Sequence, residues 1–224
     1  MMLWLGYGLL VLFVAYLLGS VPTGYLAGRI LKGIDIREHG SKSTGATNVL
    51  RTLGKAPAIA VLLVDVLKGC AAIWFARWFY GLPAIVATAP ATISLQTWTD
   101  WAVTLSALMA LLGHSRSVWI RFTGGKSAAT GLGVLLAMSW QVGLGTAIVF
   151  AAVLGIFRIV SLGSISAAIA AACLMWAFHQ PLAYLLVAIA GGIYVIWRHQ
   201  ANIQRLLAGT EPKLGQKHQE SSQG

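Results

Sequence analysis

Two stretches of this chain concentrate hydrogen-bond donors and cations. Residues 40–51 read GSKSTGATNVLR. Gly40 and Gly45 free the backbone to aim several N–H groups at one point, as in anion-binding nests. Ser41, Ser43, Thr44, Thr47 and Asn48 add side-chain donors, and Lys42 and Arg51 add charge. A helix starting at Ala46 would turn the positive end of its dipole toward the same point. Residues 113–133, GHSRSVWIRFTGGKSAATGLG, repeat these devices with Gly124, Gly125, Lys126, Ser127 and Thr130 ahead of a helix start. Such parts suit phosphate groups. The glycine spacing of a Walker loop is missing before Gly125-Lys126, which argues against nucleotide hydrolysis. Two sites of this kind point to one large anionic ligand or to two. Either stretch alone also reads as a solvated loop with helix caps.

Two smaller clusters follow, with Ser161 and Ser164 in SLGS and Arg198, His199 and Asn202 in RHQAN. The serines could instead cap a helix, and Arg198 could anchor a helix end at the headgroups. Asp65 and Lys68 stand three apart inside an apolar run, where an unpaired charge is costly, so they are expected to pair and face the interior. That pair reads as scaffolding or as a floor beneath the site. None of His39, His114 and His199 has Asp at the fifth position after it, and there is no G-x-S-x-G elbow. With six acidic residues in all, a protein nucleophile or carboxylate base is poorly supplied. Positioning and electrostatic stabilisation by donors are well supplied. Cys70 and Cys173 have no partner at metal spacing and read as small hydrophobes. No metal site or cofactor is expected.

The elements that must position these groups are membrane helices. The 224 residues are 58% hydrophobic and 10% charged, against roughly a quarter charged in a soluble domain. A span needs about 20 apolar residues. Spans are expected over 3–31, with GSVPTG inside, over 57–79, and up to Leu112 after an outer loop near 80–98. The run 127–157 would measure about 45 Å as one helix, so SWQVG (139–143) is expected to divide it. His179-Gln180-Pro181 divides the run 164–197. The fold expected is therefore an all-α integral membrane protein with seven transmembrane helices. The membrane domain covers 1–203 and a polar cytoplasmic tail 204–224.

Charge sets the orientation. With the N-terminus outside and the C-terminus cytoplasmic, inner segments hold fourteen of the sixteen Lys and Arg residues, the exceptions being Lys68 in mid-span and Arg77 at an outer end. This follows the positive-inside rule. The net charge of +10 then reports topology, not nucleic-acid binding. The same parity brings all four polar clusters to the cytoplasmic face. A cleavable signal peptide is not expected, since no positive segment precedes the first apolar run.

The segments GSVPTGY (19–25), GSKSTGATNVLRTLG (40–54), DVLKG (65–69), GHSRSVWIRFTGGKSAATGLG (113–133), SLGS (161–164) and RHQANIQRLLAGTEPKLG (198–215) together resemble the bacterial acyl-phosphate:glycerol-3-phosphate acyltransferases, the PlsY family. The resemblance keeps order and spacing over nearly the whole chain. It implies acyl transfer from acyl phosphate to the 1-hydroxyl of glycerol 3-phosphate, giving lysophosphatidic acid and phosphate, the first acylation of phospholipid synthesis. It implies a site facing the cytoplasm in a bacterial inner membrane, with membrane lipids around it and an acyl-phosphate-forming enzyme as a functional neighbour. By motif, Ser41, Ala46, Thr47 and Asn48 would hold the acyl phosphate. Arg51, Lys126, Ser164, His199 and Asn202 would hold glycerol 3-phosphate, and Gly40, Ser43, Gly45, Gly125 and Ser161 are further substrate-binding candidates. Ser41, Asn48, Lys126 and His199 are the candidate catalytic groups. The proton from the glycerol hydroxyl would go to a substrate phosphate oxygen or to His199. Two family patterns differ here: GSGNxGATN reads GSKSTGATN, and GGKGxAT reads GGKSAAT, placing Lys42, Ser43 and Ser127 where Gly, Asn and Gly are usual. The alternative function is a membrane transporter for a phosphorylated metabolite.

Overall fold

The computed structural model describes residues 2–216; Lys217, counted above among the inner cations, lies outside them with the rest of 217–224. Among the described residues the chain is helical, with no strand and one isolated bridge between Ser117 and Thr123. The helices are α1 (Met2–Ser20), α2 (Thr23–Lys32), α3 (Ala46–Thr52), α4 (Lys55–Gly81), α5 (Pro83–Val86), α6 (Leu95–Ser115), α7 (Ala128–Met138), α8 (Trp140–Phe157), α9 (Val160–Ala177), α10 (Leu182–Arg198) and α11 (Gln200–Leu207). Both expected breaks are present, at Ser139 and between Ala177 and Leu182.

Among the described residues, four units are long and apolar enough to cross a membrane: α1 and α2 as one run, α4, α8 and α9. The pair α10 and α11, bent by 62°, brings the number to five. Helix α7 has 11 residues, about 16 Å, against a hydrocarbon core of about 30 Å. Large side chains such as Leu9, Ile148, Trp176 and Ile193 are exposed around the bundle. A soluble fold would bury many of these; in lipid they face their own solvent.

Small residues set how closely the helices approach. A Cβ on Gly19 would strike the Ala110 backbone, and one on Gly113 would strike the backbone of Tyr16 and Ser20, locking α1 on α6. Gly69 against Thr130 and Gly133 against Val66 do the same for α4 and α7. This is the small-residue contact that membrane helices use in place of a hydrophobic drive.

Each helix break leaves carbonyls that need donors. At GSVPTG, Ser117 Oγ donates to the Ser20 carbonyl (2.5 Å) and Lys68 Nζ to the Val21 carbonyl (2.8 Å). Asp65 Oδ1 sits 2.7 Å from Lys68 Nζ and accepts from Thr23 Oγ1 at 2.6 Å, so the buried pair builds the kink. At the end of α7, Arg77 donates to the carbonyls of Ala137 (2.7 Å) and Met138 (3.0 Å) and to the Tyr184 hydroxyl (3.1 Å). The Arg77 guanidinium is thus turned inward, where it caps the short helix.

The segment expected to be a polar tail is folded as far as Gln216. Residues 200–207 form α11, and the following loop returns to bond Leu214 N to the Arg158 carbonyl (2.6 Å) and Arg158 Nη2 to the Leu214 carbonyl (3.0 Å).

Candidate active site

A cavity of about 1040 Å³ joins the polar clusters. Ser41, Ser43, Gly45, Ala46, Thr47, Asn48 and Arg51 line its polar end together with Lys126, Ser161, Ser164, His199 and Asn202. Gly40 and Gly125 stand behind the wall. Gly40 has φ +56, and a Cβ there would strike Asn48 Oδ1. At Gly125 a Cβ would strike His114 Nε2; its N–H donates to the His114 carbonyl (3.2 Å) and its carbonyl accepts from Arg198 Nη2 (3.0 Å). Both glycines shape the loops that carry the wall residues.

Asn48 organises the first loop. Its Nδ2 faces the carbonyls of Ile36 (3.0 Å), His39 (3.0 Å) and Ser43 (2.8 Å), and its Oδ1 accepts from Ser41 N at 2.8 Å. The side chain is 1% exposed and fully committed to backbone. Below it, Asp35 is held down to about 2 by its hydrogen bonds with Arg37, which also reaches the Ile120 carbonyl (3.1 Å) and Thr123 Oγ1 (3.0 Å). That arginine ties the two donor-rich stretches together.

Across the cavity Lys126 Nζ bonds Asn202 Oδ1. Asn202 Nδ2 donates in turn to Glu211 Oε1 (2.6 Å), which also accepts from Ser161 Oγ (2.7 Å); Glu211 Oε2 accepts from Arg205 Nε (2.7 Å). Helix α9 begins at Val160 with Ile159 at its N-cap, so Ser161 lies in the first turn, Ser164 in the second, and neither caps it. Ser164 Oγ bonds the Val160 carbonyl at 3.0 Å. His199 Nδ1 lies 2.8 Å from the Val195 carbonyl. A carbonyl only accepts, so Nδ1 carries the proton and Nε2 keeps its lone pair.

The electrostatics favour an anion. Burial lowers Lys126 to about 8 and His199 to about 4, and pushes Arg51 down as well. Burial alone would raise Glu211, but the hydrogen bonds from Asn202, Ser161 and Arg205 outweigh it and the net direction is down. Asp65 is taken by Lys68 and Glu211 by Arg205. Among the described residues, Arg51 and Lys126 have no carboxylate partner. Two cations withdrawn from water with no direct ion pair, only the more distant Glu211 charge, are poised for an anionic ligand.

Two lining groups were not expected at the site. Glu211 sits in GTEPK, a segment read as tail; a carboxylate between Arg205 and Lys213, in a chain with only six acidic residues, is the signal that could have drawn attention to it. His114 lines the cavity with Asp65, its Nδ1 3.5 Å from Asp65 Oδ1 but outside hydrogen-bond geometry.

Residues 9–209 match the family model described as glycerol-3-phosphate acyltransferase. A glycerol-3-phosphate acyltransferase of Acaryochloris marina is 61% identical over 217 residues, covering 97% of this chain and 96% of the relative. A glycerol-3-phosphate acyltransferase 2 of Rhizobium johnstonii is 62% identical, covering 96% and 99%. The crystal structure of PlsY (YgiH), an integral membrane glycerol 3-phosphate acyltransferase in its glycerol 3-phosphate form, aligns with TM-score 0.81 at 36% identity, covering 93% of this chain and 96% of that one.

The chain belongs to the glycerol-3-phosphate acyltransferase family.

As a PlsY-family protein it is a multi-pass membrane protein, and its departures from the family pattern can be located. Lys42 and Ser127, standing where the pattern has Gly, adopt φ +55 and +62. Those are left-handed conformations that cost an ordinary residue about 1–2 kcal/mol. Ser127 is compensated, since its buried Oγ donates to the Leu111 carbonyl at 2.8 Å. Lys42 is exposed and gains no such bond. Ser43, in place of Asn, accepts from Gly45 N at 3.4 Å.

Proposed function

We propose that this protein transfers an acyl group from acyl phosphate to the 1-hydroxyl of glycerol 3-phosphate, giving lysophosphatidic acid and phosphate. It does so as a seven-span protein of the bacterial inner membrane, N-terminus outside, with its site on the cytoplasmic side. The observation that carries the reading is the pair of unpartnered cations, Arg51 and Lys126, at the polar end of a cavity that runs on between apolar helix faces. A donor with a phosphate head and an alkyl chain, and a small phosphorylated acceptor, fit that division. Relatives named as glycerol-3-phosphate acyltransferases, and a structural neighbour with glycerol 3-phosphate and lysophosphatidic acid forms, support the acceptor and product.

Arg51 and Lys126 clamp the acceptor phosphate, with Ser164 and Asn202 beside them. The loop 41–47, held in shape by Asn48, presents its donors to the acyl phosphate, where they stabilise the carbonyl oxyanion and the departing phosphate. The glycerol oxygen attacks the acyl carbon, the carbon–oxygen bond to phosphate breaks, and phosphate leaves with the electron pair. The mixed anhydride is already activated, so no covalent enzyme intermediate is required. A His199 lowered to about 4 is a weak base at neutral pH. Its free Nε2 suits the role of accepting the glycerol hydroxyl and orienting it, while a phosphate oxygen takes the proton. Val142 and Met175, fully buried in the packed core, lie one turn beyond the cavity's apolar end, which disfavours a transport path.

The test is His199→Ala. Orientation predicts a KM for glycerol 3-phosphate raised about tenfold or more, with an unchanged acidic limb in the pH profile. Loss of a base instead predicts an unchanged KM and a kcat lowered by about 10²–10⁴, which would overturn this assignment.

A further inference from the structure

The cavity is far deeper than two phosphate groups require. On α8 its wall runs down to Thr146, twelve residues below Arg158; on α10 it runs to Val187, twelve below His199; on α9 it runs from Ser161 to Ala171. At about 1.5 Å of rise per residue these are depths of about 15–18 Å. Small side chains on α9 and glycines on α10 keep the shaft open, with Ala171 the deepest of them.

One turn further the shaft is closed. Val142, four before Thr146, and Met175, four after Ala171, are fully buried, and Tyr184, three before Val187, is 5% exposed. All three belong to the packed core and none lines the cavity. Leu174 blocks the same level: a Cβ on Gly145 would lie 2.8 Å from its Cδ1. The shaft is therefore blind.

We propose that Thr146, Ala171 and Val187 form the end stop of an acyl-chain ruler and set the longest chain the enzyme uses well. This rests on the acyl-transfer reading above. A zigzag of bonds of about 1.5 Å advances roughly 1.3 Å per carbon, so the shaft takes roughly 12–14 carbons below the polar level. Filling one helical turn of it removes roughly four carbons of room. Thr146 Oγ1 is buried there without a hydrogen-bond partner, so trimming this residue breaks no bond.

The experiment measures kcat/KM of the purified protein with a series of acyl phosphates from 8 to 18 carbons, taken in steps of about two carbons to resolve a one-turn change of about 5.4 Å. Ala171→Phe is expected to move the preferred length down by roughly four carbons while short donors keep near wild-type rates. Thr146→Ala is expected to raise activity with the longest donors relative to the shorter ones, a direction that misfolding does not produce. If Ala171→Phe and Thr146→Ala leave the profile's shape unchanged, or lower all lengths in proportion, the chain leaves sideways into lipid and the ruler is wrong. Wild-type turnover with any acyl phosphate keeps the acyl-transfer reading independent of that result; no turnover with any length would refute that reading instead.

Discussion

Replacing Glu211 tests whether the returning C-terminal segment is part of the site. In Glu211→Ala, Asn202 Nδ2 and Ser161 Oγ lose a carboxylate at 2.6 and 2.7 Å in a buried setting. Each orphaned donor costs about 1–3 kcal/mol. Arg205 is 41% exposed, so its share is screened and stays below about 1 kcal/mol. The total is about 4 kcal/mol. Asn202 also holds Lys126, so the loss should fall on acceptor binding. At about 1.4 kcal/mol per decade it predicts a fall of roughly 10³ in kcat/KM for glycerol 3-phosphate, carried mainly by KM. Glu211→Gln keeps an acceptor oxygen for Asn202 and Ser161 and gives up only the Arg205 contact. It should cost about 1 kcal/mol, under roughly tenfold. Steady-state kinetics with varied glycerol 3-phosphate, alongside thermal unfolding of the same samples, separates binding from folding. Equal effects of the two variants, or a near wild-type Glu211→Ala, would refute the reasoning.

Raising the pH removes the proton from Lys126 near 8 instead of the ordinary 10.5, so kcat/KM for glycerol 3-phosphate should fall above about pH 8. Lys126→Arg should move that limb beyond the measurable range, because a guanidinium stays charged. The depressed value also means that the fold disfavours the charged form, so this lysine's stability cost is present below about pH 8 and is relieved as pH rises toward 10.5. Arg77→Leu strips donors from Ala137, Met138 and Tyr184 and should cost about 3 kcal/mol. In a chain of this size that lowers the melting temperature by roughly 6–12 °C, read by thermal unfolding in detergent. Lys42→Gly relieves a left-handed φ and should stabilise by about 0.5–1 kcal/mol. Ser127→Gly loses its bond to the Leu111 carbonyl and should gain nothing. A stabilisation of similar size in both would contradict the role given to that bond.

Much of the architecture was legible because the bilayer leaves few choices. Runs too long for one crossing had to break, and the breaks at Ser139 and after Ala177 fall where polar residues or Pro181 interrupt the apolar pattern. The clustering of Ser41, Arg51, Lys126, Ser164, His199 and Asn202 on one cavity followed the same order: donors and cations in a greasy chain have few places to sit together. Finer roles were not legible. Asn48 reads as a donor in sequence, yet its amide is used up by loop carbonyls that are near only after folding. Glu211 looked like tail because its charge is the one local signal, and no apolar pattern in 209–216 shows that the segment returns to the cavity. Arg77 looked like an outer flank because the cap it provides lies on another helix, 60 residues away. The left-handed backbones of Lys42 and Ser127 are invisible in residue type, since both break the glycine preference.

The central claim is that an anionic donor and an anionic acceptor meet at Arg51 and Lys126 and react without a protein nucleophile. Purified protein in detergent, given an acyl phosphate and glycerol 3-phosphate, tests this directly. Inorganic phosphate and lysophosphatidic acid should appear in equal amounts, with neither formed when glycerol 3-phosphate is withheld and no acylated protein detected by intact mass during turnover. Failure to release phosphate in detergent and after reconstitution into lipid, or an acylated enzyme that forms before the acceptor is added, would contradict the account.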